Sequence, residues 1–210
     1  ALIRGYLTKE LYKTNYLTTE ELNAIDEGYI YIHDLRDLIF NGFNCCLFDM
    51  ATVLEGGFEM ANLKYKEPSN VLSCLQVIGD VTLSASAQQF GGFTIADIDK
   101  ILVKYIKKSI VKYGKEAVKY GVHDSYTYAM EKTQNDLEQG FQSLEMKLNS
   151  VTSSRGDYSF VTLTFGNLDV PEDRQYQLMA SKAILKNRKK DNPVVFPKLV
   201  HLFSWEQYEN

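Results

Sequence analysis

Two adjacent cysteines are the side chains of this sequence best suited to chemistry. Cys45 and Cys46 stand in the apolar run 44–49 (NCCLFD) and are two of the three cysteines in the chain. Such a run predicts a strand, and neighbouring strand residues point to opposite faces. One thiol can therefore enter a cavity while the other packs against covering helices, and we expect only one of them to react. The alternative is that both are small buried hydrophobic residues, as cysteines outside disulfides often are.

Composition excludes several functional classes. The chain has 210 residues, 45% of them apolar, and a net charge of −4, which does not favour a DNA or RNA surface. No apolar run is long enough to span a membrane, and no signal peptide is visible. With only three cysteines we therefore expect a protein of a reducing compartment, the cytoplasm. His123 and His201 have no nearby set of Cys, His or carboxylate ligands, so we predict no metal site in these residues.

Helices are predicted on both sides of the cysteine run. Residues 1–28 form a helical lead-in of two helices, 2–16 and 18–27, the second opened by a capping box of Thr18 and Glu21. Residues 29–34 are predicted to be extended, and the cysteine run is predicted to be the first core strand. Its continuous apolar character indicates burial on both faces. Further helices are expected over 50–54, 69–90, 97–120 and 124–149.

The expected helix 69–90 has an apolar surface wider than one stripe. Its small residues, among them Gly79 and Ala85, would let another helix approach closely. Two arrangements remain open. The helix lies in a symmetric dimer bundle, or it is a central helix within one subunit.

The last third of the chain predicts a βαβ unit. Residues 160–165 alternate apolar and threonine side chains, 171–190 are helical, and 194–203 are apolar again. A parallel crossover should join the two strands. Pro197 implies an edge, a bulge or a bend in the last strand. Three core strands among many helices indicate an α/β sheet or barrel that is incomplete within these residues.

Six motifs in a fixed order carry a family resemblance. They are YIYIHDL, NCCLFDMATVLEGGFEMANLKY, the long helix ending in QQFGG, EQGFQSLEMKLNSV, SSRGDYSFVTLTFG and NPVVFPKLV. Together, over about residues 27–203, they resemble the anaerobic (class III) ribonucleoside-triphosphate reductases. After Phe165-Gly166 many members of that family carry a Thr-Ser-Trp type stretch, whereas this chain has residues 167–171 (NLDVP), so substrate contacts are not carried over there.

The resemblance implies a fold and an activity. The fold is a ten-stranded α/β barrel, of which residues 29–210 would be the N-terminal half, and the enzyme works as a homodimer. The family reduces ribonucleotides to deoxyribonucleotides for DNA synthesis. A glycyl radical, made by a radical-SAM activating enzyme, is passed to a finger-loop cysteine that abstracts the C3′ hydrogen of the ribose. Formate or a thiol supplies the electrons, and ATP or dNTPs act as effectors.

Residue roles follow from the same resemblance. The Asn-Cys-Cys run matches the first barrel strand, so Cys45 would be the second reacting cysteine, with Asn44 beside it and Cys46 facing outward. A sulfur hydrogen is weakly held and can be given to a carbon radical. His33 would position substrate or only fix a loop. Two further groups each have two possible roles. Ser153, Ser154 and Arg155 would contact a phosphate or the substrate, or only form a turn. Gln88 and Gln89 would contact an effector, or only belong to a helix end that the following glycines cap.

Several parts of the family are missing from these residues. The 210 residues contain no ATP cone, no finger-loop cysteine, no four-cysteine zinc site and no radical glycine. Ala1 opens the sequence in helix-forming residues without an initiator methionine. We therefore expect a piece of a longer chain that is inactive by itself. The alternatives are a truncated, non-catalytic relative that binds nucleotide or dimerises through 69–90, and a related glycyl-radical enzyme acting on another substrate.

Overall fold

The structure is a computed structural model that describes residues 2–33, 35, 38, 43–60, 62–153, 156, 158–188, 194–205 and 207. The chain divides by internal packing into two compact units. Unit 1 comprises residues 1–45 with 88–91, and unit 2 comprises residues 46–87 with 92–210. The predicted domain boundary at residue 28 stays a prediction.

The expected helices are present. Unit 1 contains α1 (Leu2–Tyr16) and α2 (Thr19–Asp26), and unit 2 contains α3 (Met50–Leu54), α4 (Val71–Ser86), α5 (Ile98–Lys119), α6 (Ser125–Ser150) and α7 (Arg174–Arg188). The capping box ahead of α2 is confirmed, with the Thr18 backbone N–H donating to the Glu21 carboxylate at 2.7 Å. The helix predicted over 69–90 is shorter, because Asn70 caps its first turn and it ends at Ser86.

Four parallel strands form the main sheet. They are β1 (Cys46–Phe48), β4 (Phe93–Ile95), β5 (Val161–Phe165) and β6 (Lys198–His201), in the order β1-β4-β5-β6. A separate antiparallel hairpin joins β2 (Phe58–Met60) to β3 (Leu63–Tyr65). The sequence prediction missed β4 and the hairpin, whose strands are three residues long. Among the described residues 29–33, predicted to be extended, no strand forms.

One face of the sheet carries the core. Val161, Leu163 and Phe165 of β5 are buried, while the threonines between them are half-buried on the other face. Helices α4, α5, α6 and α7 supply most of the other core residues, and α3 and β4 add a few more. The prediction that β1 is buried on both faces is wrong, because Leu47 is 74% exposed. It pairs in register with Thr94, on the face turned away from the core.

Helices α4 and α6 pack unusually closely. A Cβ placed on Gly140 of α6 would overlap Cδ1 of Leu75 on α4, and one placed on Gly79 would lie 3.3 Å from Cδ1 of Leu144. The small residues of α4 therefore admit a neighbouring helix, as predicted, and that helix is α6 of the same chain. Pro197 directly precedes β6, an outer strand of the four-stranded sheet. The α/β class with parallel strands and many helices is confirmed.

None of the helices in the described part of the chain is long and apolar enough to cross a membrane.

Candidate active site

The Asn44-Cys45 segment lies just ahead of the sheet. Cys45 is exposed, and the pairing of β1 with β4 begins one residue later, at Cys46. Cys45 is therefore in the loop that leads into the predicted strand and not in its interior. All three cysteines are among the described residues, and none forms a disulfide.

The two residues ahead of Cys45 are hydrogen-bonded to residues 90 and 91, in the segment that follows α4. The backbone N–H of Phe90 donates to the carbonyl of Phe43 at 3.1 Å, and the N–H of Gly91 donates to the carbonyl of Asn44 at 2.5 Å. The structure thus brings the predicted catalytic residues beside the predicted effector residues. Sequence reasoning treated these two groups as separate sites.

The two glutamines of this loop have different surroundings. Gln88 is exposed, whereas Gln89 is only 6% exposed and its Nε2 donates to the carbonyl of Gly91 at 3.1 Å. The prediction that these glutamines contact an effector stays a prediction. In this structure the side-chain amide of Gln89 forms a hydrogen bond within its own loop, to Gly91.

The other two cysteines are placed differently from Cys45. Cys46 is half-buried against the hydrophobic core, and its N–H donates to the carbonyl of Gly92 at 2.9 Å. Cys74 is fully buried in α4, and burial raises the pKa of its thiol far above the ordinary value. A thiol that stays protonated among apolar neighbours is a packing group, which leaves Cys45 as the accessible thiol of the three.

The remaining predicted contacts lie in two places. Ser154 and Arg155 fall outside the described residues. Ser153 is half-buried, and its carbonyl accepts the N–H of Gly156 at 2.9 Å, where the glycine has a φ of +88°. An antiparallel bridge between Thr152 and Tyr158 closes this turn in unit 2. His33 belongs to unit 1, is exposed, and has its ring 6.4 Å from that of Tyr31.

A cavity that the sequence did not reveal lies beyond the carboxyl ends of β5 and β6. Its volume is about 480 Å³, and its lining includes Asn167, Asp169 and Arg174. This is the stretch in which the sequence departs from the family. Carboxyl ends of parallel strands commonly form ligand crevices, which is the signal that could have pointed to it.

Buried Asp99 is hydrogen-bonded to the segment that follows β5. Its carboxylate accepts the N–H of Gly166 at 3.0 Å, directly after β5. Burial raises the pKa of Asp99. Beside it, the Lys100 ammonium contacts the Asp169 carboxylate at 2.7 Å and lowers the pKa of Asp169.

Metal-ligand geometry is absent from the described part of the chain, where no group of three or more His, Cys, Asp or Glu side chains could hold an ion.

Comparison with known proteins gives one family. The family model described as anaerobic ribonucleoside-triphosphate reductase matches residues 1–208. A relative with that description from Enterobacteria phage T4 is 34% identical over 206 residues, which are 95% of this chain and 33% of the relative. The relative from Escherichia coli K12 is 31% identical over 205 residues, 95% of this chain and 28% of its own length. The chain thus spans about a third of the length of these relatives.

Solved structures agree on the fold. The anaerobic ribonucleotide reductase of Thermotoga maritima, crystallised with dATP and CTP, superposes with a TM-score of 0.64 over 95% of this chain and 35% of that protein. The sequence identity is 16%, so this likeness concerns the fold alone.

Proposed function

Because the chain belongs to the anaerobic ribonucleoside-triphosphate reductase family, we propose that it is part of an enzyme that converts ribonucleoside triphosphates to deoxyribonucleoside triphosphates. The observation that carries the proposal at the level of residues is the exposed Cys45 thiol of the Asn-Cys-Cys motif. It directly follows residues 43 and 44, whose carbonyls accept hydrogen bonds from residues 90 and 91. The reaction supplies precursors for DNA synthesis.

Cys45 is the hydrogen donor in this proposal. A thiol gives up its hydrogen atom readily, and a donor must reach the substrate carbon, which the accessible Cys45 can do and the buried Cys74 cannot. The glycyl radical of the family supplies the oxidising equivalent that starts the reaction. In the transfer the S–H bond of Cys45 breaks and a C–H bond forms at C2′, from which the hydroxyl has left as water. Formate or a thiol then supplies the electrons that restore the Cys45 thiol. A reducing, cytoplasmic setting belongs to the proposal, since the donor must be a thiol.

Substrate and effector contacts are further parts of the proposal. Ser153, Ser154 and Arg155 carry hydroxyl and guanidinium donors, which suit a phosphate. His33 and Asn44 would orient the ribose, and Gln88 offers an exposed amide to an effector. The Thermotoga protein was crystallised with dATP and CTP, which supports nucleotides as ligands. A homodimer and a radical-SAM activating enzyme complete the proposal.

The family's four-cysteine zinc site belongs to the proposed whole enzyme and is not assigned to these residues.

The test uses the intact natural protein that carries this chain. Cys45→Ser should abolish the formation of deoxyribonucleotide from ribonucleotide, because serine offers no weakly held hydrogen. Cys46→Ser is the matched control, since it makes the same change at the neighbouring thiol, which packs on the core, and it should keep turnover. If Cys45→Ser reduces ribonucleotides at the wild-type rate, the proposed role of Cys45 is wrong. Nucleotide binding without any turnover in the natural protein would favour a non-catalytic relative.

A further inference from the structure

We propose that Gly91 and Gln89 are positioning residues for the Cys45 thiol. The inference rests on the proposed function, in which Cys45 is the reacting group. Neither residue needs to touch the substrate. Their role is to fix the loop from which the thiol is presented.

Backbone pairing supplies the first argument. Two consecutive N–H groups, of Phe90 and Gly91, donate to two consecutive carbonyls, of Phe43 and Asn44. Each bond orients one peptide unit, so the pair fixes both the position and the direction of the chain as it reaches Cys45. Because backbone atoms make these two bonds, they do not depend on the rotamers of the four residues that they join.

The space around Gly91 supplies the second argument. A Cβ at this position would lie 2.5 Å from Oδ1 of Asn44, 2.6 Å from Sγ of Cys45 and 2.7 Å from the Asn44 carbonyl oxygen. Non-bonded heavy atoms normally meet at about 3.5 Å or more. The two side-chain atoms could rotate away, but the carbonyl oxygen is held by the hydrogen bond from Gly91 itself. Only glycine leaves the thiol and the amide where they are.

Gln89 supplies the third argument. Its side chain is 94% buried, and its Nε2 donates to the carbonyl of Gly91. Gly91 is thus held on both sides, with its N–H on Asn44 and its carbonyl on Gln89. A buried amide used in this way fixes the loop that contacts the Cys45 sulfur.

The experiment measures the reactivity of each cysteine in the intact natural protein. Iodoacetamide alkylation is followed over time, and tandem mass spectrometry of the peptides separates Cys45 from Cys46 and Cys74. Gly91→Ala should change the alkylation rate of Cys45 severalfold and leave the rates of the other two cysteines at wild-type values. Gly114→Ala is the control, because a Cβ there meets nothing within 4 Å.

Steady-state kinetics add a second readout. A displacement of about 1 Å at a reacting group costs on the order of a hundredfold in turnover. Gly91→Ala should therefore lower kcat by about that factor, while KM for the ribonucleotide stays within twofold. A wild-type alkylation rate at Cys45 together with a wild-type kcat would overturn the inference.

A second pair of variants covers the case in which Gly91→Ala unfolds the protein, seen as rapid alkylation of buried Cys74. Gln89→Met keeps the shape of the side chain but removes its N–H donor, and Gln142→Met makes the same change at an exposed glutamine of α6. A Cys45 alkylation rate altered by Gln89→Met and not by Gln142→Met supports the inference, and equal rates overturn it. The Cys45→Ser variant distinguishes failure of this inference from failure of the proposed function. If Cys45→Ser is inactive while the Gly91 and Gln89 variants keep the wild-type alkylation rate and kcat, the inference is wrong and the proposed function stands.

Discussion

Three glycines in the helices of unit 2 should respond differently to replacement by alanine. Gly140 lies in α6 against Leu75, which is 1% exposed, and an added Cβ would overlap Leu75 Cδ1 and lie 3.2 Å and 3.4 Å from its Cβ and Cγ. Gly79 lies in α4, where the nearest atoms are Cδ of Lys147 at 3.1 Å and Cδ1 of Leu144 at 3.3 Å. Gly114 lies in α5 with open space around it.

Two opposing free-energy contributions determine how much each glycine-to-alanine change alters stability. Replacing glycine by alanine inside a helix stabilises it by about 1 kcal/mol. Overpacking a close-packed contact costs about 1–3 kcal/mol, and the contact at Gly140 involves three atoms of one buried side chain, so the higher cost applies. Gly140→Ala should therefore lower the free energy of unfolding by about 1–2 kcal/mol. Gly114→Ala should raise it by about 0.5–1 kcal/mol.

Gly79→Ala provides the intermediate case. Its closest contact is the stem of Lys147, a flexible side chain whose ammonium pairs with Asp80 at 2.6 Å. The stem can move by a few tenths of an ångström, so the helix gain and the contact cost nearly cancel. We expect a change within about 0.5 kcal/mol.

Urea unfolding followed by circular dichroism measures the series, with the slope m as a check that the unfolded states are comparable. The expected order of stability is Gly114→Ala, then Gly79→Ala, then Gly140→Ala. A Gly140→Ala protein as stable as the Gly114→Ala protein would refute the close packing of α4 against α6.

Three further outcomes follow from polar contacts. Asn149→Ala should lower the free energy of unfolding by about 1–3 kcal/mol, because its amide both donates to and accepts from the backbone ahead of β6, and exposed Asn135→Ala should have no such effect. Burial raises the pKa of Asp99 in the folded protein. The stability that Asp99 contributes relative to Asp99→Asn is therefore complete below the unfolded-state pKa of about 3.9, and it is lost as pH rises through the folded-state pKa. A difference in unfolding free energy between the two proteins that does not change with pH would contradict this. Hydrogen bonds from lysines, chiefly Lys104, lower the pKa of Glu67 to about 2, and Lys104→Met should raise that pKa in an NMR titration, whereas an unchanged value would argue against the ion pair.

The sequence by itself determined most of the helices. Their signals are local: apolar residues repeat at helical spacing, and side chains such as Thr18, Asn70 and Asp124 cap the first turns. The alternation over β5 also survived into the structure, with its apolar residues buried. Strand β4 and the two strands of the hairpin were missed, because three residues are too few to show the alternation of apolar and polar side chains that marks a strand.

The sequence also identified the family, because six motifs in order carry more information than any one of them, and it singled out Cys45 as the reacting thiol, which remains a proposal. It could not show how exposed each cysteine is. Two adjacent thiols look the same in a sequence, and only packing distinguishes exposed Cys45 from Cys46, which lies against the core.

Tertiary structure alone decided what surrounds Cys45. The hydrogen bonds between residues 43–44 and 90–91 join backbone groups that are distant along the chain and carry no side-chain signature. For the same reason the requirement for glycine at 91 could not be read from the sequence, where QQFGG resembles an ordinary helix end. A glycine needed for close approach is defined by the atoms that face it, and those atoms are assembled only when the chain folds.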